Sequence, residues 1–479
     1  MGNHYCFIIP RLNGQEIEEN FNYYLNLVKK GVAGFIVFGG ELETVRDGIR
    51  RLQKEAKLPL IIASDLEQGL GQQLKGGTLF PPAMAIASAI KSSQQSVVSS
   101  QKLKLLRSAL KAIAIEAKYA GINTIFAPVL DINTNPKNPI ISTRAFGEDT
   151  ETVSFFGCEM IKILQTNRIT ACGKHFPGHG DTEIDSHIST PTIKKDLQSL
   201  EKTELVPFRN AIKKGVKMIM LGHLNVPAID PSGIPVSISK RAVRFLRNEM
   251  KFKGIIITDA LNMHSLNSST IEEKASLMAL RAGVDLLLHP SDPDKVAVYL
   301  KKSNYPLELR TNNLEFRTKI NTSHFSLPIS HFKKHRKISE ELTRKAIKVY
   351  SDIKLTKRSF LIILNDEAVE KGRRFVESLR EKFIGLNYLI IPQGSEIPWD
   401  AIPGDMRIIV AVFSEIRAWK GGASPWLLRQ IKYLSDRAVL FISFGSPYLL
   451  EGLTPKILAY WDSESAQESV ASLLLRLFN

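Results

Sequence analysis

Short, unbroken apolar runs punctuate the first 290 residues of the chain: CFIIP (6–10), GFIVF (34–38), PLIIAS (59–64), NTIFAPVL (123–130), ITACGK (169–174), KMIMLG (217–222), GIIIT (254–258) and DLLLH (285–289). Each is apolar at successive positions and bounded by polar residues, the pattern of a strand covered on both faces. Between most of them lie stretches with helical periodicity, among them EIEENFNYYLNLVKKG, QQSVVSSQKLKLLRSALKAIAIEAKYAG, TVSFFGCEMIKILQT and LVPFRNAIKKG. Several close on a glycine (Gly31, Gly121, Gly215, Gly283), the usual helix stop. Eight strands alternating with helices predict an α/β fold of the (β/α)8, TIM-like barrel type. The competing arrangement is an open, doubly wound sheet. It normally carries a glycine-rich phosphate loop after its first strand, and here that position reads PRLNG.

The polar residues that end these runs favour the barrel. Asp65 follows the third run, Lys174 and His175 end the fifth, His223 follows the sixth, Asp259 the seventh, and His289 closes the eighth. Barrels of this kind carry their active sites at the carboxyl ends of the strands. Beyond residue 290 the pattern changes. A polar, basic stretch (291–340) reads as the last barrel helix followed by a linker, and EELTRKAIKVY reads as a helix. Then FLIIL (360–364), YLIIP (388–392), RIIVAVF (407–413), AVLFISF (438–444) and ILAYW (457–461) alternate with helical segments. The expected organisation is a catalytic barrel over 1–325, then a linker helix and a smaller α/β sandwich domain over 326–479.

Composition narrows the class. At 479 residues, 44% apolar and 23% charged, the chain suits two globular domains. No apolar run reaches the roughly 18–20 residues needed to cross a bilayer. The first residues lack the basic-then-apolar pattern of a signal peptide, so a cytoplasmic protein without membrane association is expected. Three cysteines (Cys6, Cys158, Cys172) without CxxC spacing argue against a disulfide framework. The net charge of +16 admits attraction to a polyanion. With no nucleic-acid motif beside it, a lysine-rich surface is the simpler reading, and no nucleic-acid partner is expected.

The chemistry concentrates in KHFPGHGDTEIDSH (174–187), where three histidines, two aspartates and a lysine share a glycine- and proline-bearing loop. Three readings compete. His175, His179, Asp181, Asp185 and His187 are enough ligands for a metal, but their spacing matches no compact metal motif. His179 and Asp181 could simply brace the loop. Asp185 and His187, one residue apart, could pair for acid–base work, because a carboxylate beside an imidazole fixes its tautomer and raises its pKa. Asp259 is placed to attack an anomeric carbon or to cap a following helix.

The loop KHFPGHGDTEIDSH resembles the signature of the β-N-acetylglucosaminidase branch of glycoside hydrolase family 3. TDALNM resembles the family's nucleophile segment, NPIISTRAFGED its sugar-binding segment, and SDLEQGLGQQL the loop whose leading Asp holds sugar hydroxyls. The resemblance implies a retaining exo-enzyme that releases terminal β-linked N-acetylglucosamine. Asp259 would be the nucleophile, His187 the proton shuttle and Asp185 its orienting partner. Asp65, Arg144, Lys174, His175 and His223 would bind substrate, with no metal or other cofactor. It further suggests a small carbohydrate or a muropeptide substrate and a place in cell-wall recycling. One departure stands out: in the family pattern Asp-x-Glu-Gly-Gly-Arg-Val-x-Arg, this chain has Gln68 for the first Gly, Leu70 and Gln73 for the two arginines, and Gly71 for the Val. A neutral amide in place of a guanidinium forgoes a charge-assisted hydrogen bond worth about 1.5–3 kcal/mol. A glycoside phosphorylase, a non-catalytic carbohydrate-binding homologue and a metal-dependent hydrolase are the alternatives.

Overall fold

The computed structural model describes residues 4–91, 98–183, 190–263, 266, 271–307, 311–322, 327–350, 355–356, 358–367, 370–415, 420 and 422–478. Internal contacts divide the chain into two compact units. One holds Met1–Phe80, Leu106–Asn138 and Ala145–Arg336; the other holds Pro81–Leu105, Pro139–Arg144 and Lys337–Asn479.

In the first unit, β1 (Ile8–Ile9) and β2 (Arg11–Asn13) are two halves of one stave. Pro10 lies between them and has no N–H to give a ladder. The staves that follow are β3 (Gly34–Phe38), β4 (Ile61–Ser64), β5 (Thr124–Ile125), β6 (Thr170–Phe176), β7 (Met218–Leu221), β8 (Ile255–Thr258) and β9 (Leu287–Leu288). β2 to β8 pair in chain order, every pairing parallel. Ile257 bridges to Leu286, and β9 pairs with β1 through Ile8–Leu287 and Ile9–Leu288. The eighth stave thus meets the first, and the sheet closes as the sequence pattern expects. Helices Phe21–Lys30, Leu42–Glu55, Thr150–Thr166, Leu205–Lys213, Glu272–Ala282 and Pro293–Lys302 follow their strands. The first of them ends at Gly31, whose φ of 91° lets its N–H reach back to the carbonyls of Leu27 and Val28.

The barrel is filled, not hollow. Ile9, Ala33, Ile36, Ile61, Ala63, Phe126, Cys172, Met218, Met220, Ile255, Ile257, Leu286 and Leu288 form one buried cluster, and burying a side chain of this size stabilises by about 1.5–3 kcal/mol. Phe316 and Ile320 pack against the same cluster. They belong to the helix Thr311–Thr318 and the turn after it, in the polar stretch read from sequence as the last barrel helix and a linker. From this helix Asn313 Nδ2 donates to the Cys6 carbonyl (2.6 Å) and Arg317 Nε to the Pro59 carbonyl (2.9 Å). Both carbonyls lie ahead of strands, so the helix covers the amino end of the barrel. Burial draws Arg317 down to about 10, still cationic at neutral pH.

The second unit contains a six-stranded sheet: β10 (Lys348–Tyr350), β11 (Ser359–Asn365), β12 (Asn387–Ile391), β13 (Arg407–Ser414), β14 (Ala438–Gly445) and β15 (Lys456–Leu458). Their order is β10-β15-β14-β13-β11-β12, with only β10 antiparallel to its neighbour. Phe375, Leu379, Val470 and Leu474 of the helices Arg373–Arg380 and Glu464–Leu477 pack on Leu361, Ile363, Ala411 and Ile442. Each of the five apolar runs of this region contributes a strand, ILAYW only through Ile457 and Leu458. EELTRKAIKVY differs from the expectation: the helix Ile329–Ala346 stops early, and Lys348–Tyr350 becomes an edge strand. Val349 and Tyr350, β-branched and aromatic, suit a half-covered edge better than a helix end.

Candidate active site

Side chains alternate between the two faces of a strand, so a residue two beyond a barrel-filling one lies in the next layer up. Two residues beyond Ile9, Ile36, Ala63, Cys172 and Ile257 stand Arg11, Phe38, Asp65, Lys174 and Asp259. The strand period thus gathers four charged groups and an aromatic ring at the carboxyl end of the barrel. The Cys172 thiol beneath them registers the charges of Lys174, Asp65 and Asp259 together, although burial is the main cause of its raised pKa.

Lys174 is the hub. Its side chain is 3% exposed, and Nζ lies 2.7 Å from Asp65 Oδ1 and 2.6 Å from Glu67 Oε1. The loop carrying Asp65 folds back on itself. Gly71 N–H donates to the Thr78 carbonyl, Phe80 N–H to the Gln68 carbonyl, and Gln73 Nε2 to the carbonyl of Asp65 (3.4 Å). Leu70 is fully buried. The two residues that replace the family's arginines, Leu70 and Gln73, therefore serve the loop's own packing.

His175 is held by Asp131. Asp131 Oδ2 accepts from His175 Nδ1 (2.7 Å), and Oδ1 accepts from the backbone N–H groups of His175 (3.0 Å) and His179 (2.8 Å). Burial works to raise the Asp131 carboxyl, but the charge and hydrogen bonding of His175, then His179, outweigh it and hold it below the ordinary range. His179 is buried. Its carbonyl accepts from Thr182 Oγ1 (3.0 Å), so the ring's Nδ1 donates to that same oxygen (2.8 Å). Burial, then His175, push the imidazole down to about 4. Asp181 accepts from Thr134 (3.2 Å) and pairs with Lys195 (3.3 Å). His179 and Asp181 thus engage loop partners, as the bracing reading supposes. Gly180 is required here, because a Cβ would sit 1.7 Å from the Ile132 carbonyl oxygen.

Asp259 follows β8, and its Oδ1 accepts from the Ala260 N–H (2.8 Å). His223 is fully buried beside it: Nε2 donates to the Ala260 carbonyl (2.9 Å), and Nδ1 meets Ser237 Oγ (2.6 Å). Arg144 ends a short turn, Ser142–Arg144, that groups with the second unit, and its guanidinium donates to the Ile140 carbonyl (3.0 Å). Asp185 and His187 lie outside the described residues. Asp131 and Glu67 were not singled out from sequence. Asp131 had a signal, since it directly follows the fourth apolar run just as Asp65 follows the third.

A model of the glycosyl hydrolase family 3 N-terminal domain matches residues 16–319, more than half of the chain. The chain belongs to glycosyl hydrolase family 3. Within this family it is 32% identical over 289 residues to a β-hexosaminidase of Nitrosomonas eutropha, covering 60% of this chain and 81% of that one. It is 30% identical over 330 residues to β-hexosaminidase A of Pseudoalteromonas piscicida, covering 62% of this chain but only 54% of that longer protein. Among solved structures, a family 3 β-N-acetylglucosaminidase from Paenibacillus sp. superposes with a TM-score of 0.81 at 25% identity, over 99% of this chain and 96% of that one. The barrel followed by a second α/β sheet is thus the architecture of a family 3 glycoside hydrolase. Among the described residues no helix is long and apolar enough to cross a membrane.

Proposed function

We propose that this family 3 chain is a retaining exo-β-N-acetylglucosaminidase acting on small carbohydrates or muropeptides in cytoplasmic cell-wall recycling. The observation that carries the reading is the convergence of Asp259, Asp65 and Lys174 one layer above the barrel core, in a chain similar to β-hexosaminidases. Asp259 attacks the anomeric carbon, and the bond from that carbon to the aglycone oxygen breaks. His187, steadied by Asp185, gives that oxygen its proton. Water then attacks the glycosyl-aspartate, His187 takes the water's proton, and the bond to Asp259 breaks with net retention. Lys174 and Asp65 receive sugar hydroxyls, as do His175, held on Asp131, and Arg144, assigned from its motif alone. His223, with both ring nitrogens engaged by protein, fixes the backbone behind the nucleophile. His179, held near 4, is neutral at neutral pH and a poor proton donor there, which favours His187 as the shuttle.

The test uses leaving groups. His187→Gly should slow a disaccharide far more than an activated aryl N-acetylglucosaminide, because only the poor leaving group needs the acid. Azide should restore turnover and give a β-glycosyl azide. Equal slowing of both substrates with no azide rescue removes His187 from the role. A sugar 1-phosphate formed in phosphate buffer would mark a phosphorylase instead.

A further inference from the structure

Arg11 stands apart from the other charges of the barrel mouth. It is exposed at the start of β2, one layer above Ile9, and its guanidinium lies 5.2 Å from the centre of the Phe38 ring. Phe38 in turn meets His289 in a tilted contact, 5.8 Å between ring centres. Arg11 opens β2, Phe38 ends β3 and His289 directly follows β9, all on neighbouring staves. Among the described residues, neither the Arg11 guanidinium nor the His289 imidazole has a hydrogen-bond or ion-pair partner. Asp65 is near enough for its charge to register on His289, but its Oδ1 pairs with Lys174. Burial, then Arg11, push His289 down to about 4, so at neutral pH the imidazole is an uncharged hydrogen-bonding group.

This corner therefore offers a permanent fork-shaped cation, an aromatic face and a neutral imidazole. A guanidinium matches a planar carboxylate through two parallel hydrogen bonds. A neutral sugar would leave that charge unused. We propose that Arg11, Phe38 and His289 form a carboxylate-binding subsite beside Asp65, and that the preferred substrate carries a carboxylate. The carboxylate could stand on the sugar that is transferred or on the aglycone. The inference rests on the glycosidase reading for the word substrate, but its binding test does not.

Calorimetry on the wild-type chain, Arg11→Gln and Arg11→Lys would compare N-acetylmuramic acid and glucuronic acid with neutral N-acetylglucosamine. We expect one acidic sugar to bind the wild type roughly tenfold or more tightly than the neutral one, the scale of a charge-assisted pair. Arg11→Gln should erase that preference and Arg11→Lys should keep part of it. Salt at about 0.5 M, which shortens the screening length to a few ångström, should shrink it. Turnover separates the two sources. An aryl β-glucuronide outpacing the aryl N-acetylglucosaminide places the carboxylate on the transferred sugar. N-acetylglucosaminyl-muramic acid outpacing chitobiose places it on the aglycone. Equal binding of acidic and neutral sugars by the wild type, or a preference that survives Arg11→Gln, overturns the proposal. Failure of the glycosidase reading looks different: no glycoside is turned over while the binding preference persists.

Discussion

Both compact units end parallel strands in charged side chains, yet the two clusters are built differently. In the second unit β12 lies on one side of β11 and β13 on the other, the kind of switch point where open sheets leave a ligand crevice. Here the protein's own side chains fill it. Asp366 accepts from Ser414 Oγ (2.8 Å) and from the backbone and hydroxyl of Ser424, and pairs with Lys420 (2.8 Å). Lys371 sits between Glu415 (3.1 Å) and Asp462 (2.6 Å). At the barrel mouth the pairing is incomplete: among the described residues Lys174 meets two carboxylates and His175 meets one, through Nδ1 alone, while Arg11 and His289 meet none. Strand ends place charges by geometry alone. What marks a reactive end is the charge or hydrogen-bonding capacity left over after the protein has satisfied itself.

Four experiments sharpen or break this contrast. The largest effect is expected at Asp259. Asp259→Ala should lower kcat by roughly 10⁴-fold or more, as loss of a nucleophile does elsewhere, and a 5-fluoro glycoside should label the peptide that contains Asp259. Label on another carboxylate would move the nucleophile. Next is Lys174→Ala, which strands Asp65 and Glu67 against each other. It should cut kcat/KM by about 10²-fold or more on aryl and alkyl glycosides alike, with the shape of the pH profile kept. A leaving-group-dependent loss would make Lys174 a proton carrier.

Asp366→Ala should do the reverse. Breaking a satisfied buried cluster costs about 3–5 kcal/mol of stability, read as a lower urea midpoint, with the ratio of disaccharide to aryl turnover unchanged. A shifted ratio would mean that the second cluster also serves the chemistry. The smallest effect concerns pH. His179 and His289 have folded pKa values pushed from 6.5 to about 4. As pH falls from about 6.5 to about 4, the unfolded chain takes up protons that the folded barrel refuses, so stability declines across that window and levels off below it. Asp131, whose folded carboxyl is held below its ordinary value of 3.8, loses its contribution only at lower pH. His179→Gln should roughly halve the decline between pH 6.5 and 4; an unchanged slope would mean that His179 is not the buried neutral group described above.

The staves were legible because a parallel strand covered on both faces is apolar at every position, a pattern that survives without any partner being known. The same reading found Asp65, Lys174, His175 and Asp259 as residues at strand ends. It passed over Asp131, because Ile132 follows at once and the carboxylate looks like one polar break in an apolar stretch. It passed over Arg11 because Pro10 ends the first run, so the stave's second half, Arg11–Asn13, carried no apolar signature. The helix Thr311–Thr318 was hidden for another reason. Its hold on the barrel comes from Asn313 and Arg317 reaching backbone carbonyls, and two polar side chains in a polar segment read as linker. Pairings such as Lys174 with Glu67, or Arg11 with Phe38, depend on which strands are neighbours and emerge only once the barrel is closed.

The packed barrel above that helix sets the traffic of the reaction. With the core filled and Phe316, Arg317 and Ile320 at its amino end, the doorway lies at the carboxyl ends of the strands. In the double displacement proposed above, the alcohol must clear this doorway before water can take its place, and the released sugar leaves last. The sugar therefore returns to the empty enzyme and competes with fresh substrate, whereas the alcohol re-enters only on the glycosylated form. Accumulating monosaccharide, rather than accumulating aglycone, would throttle the enzyme.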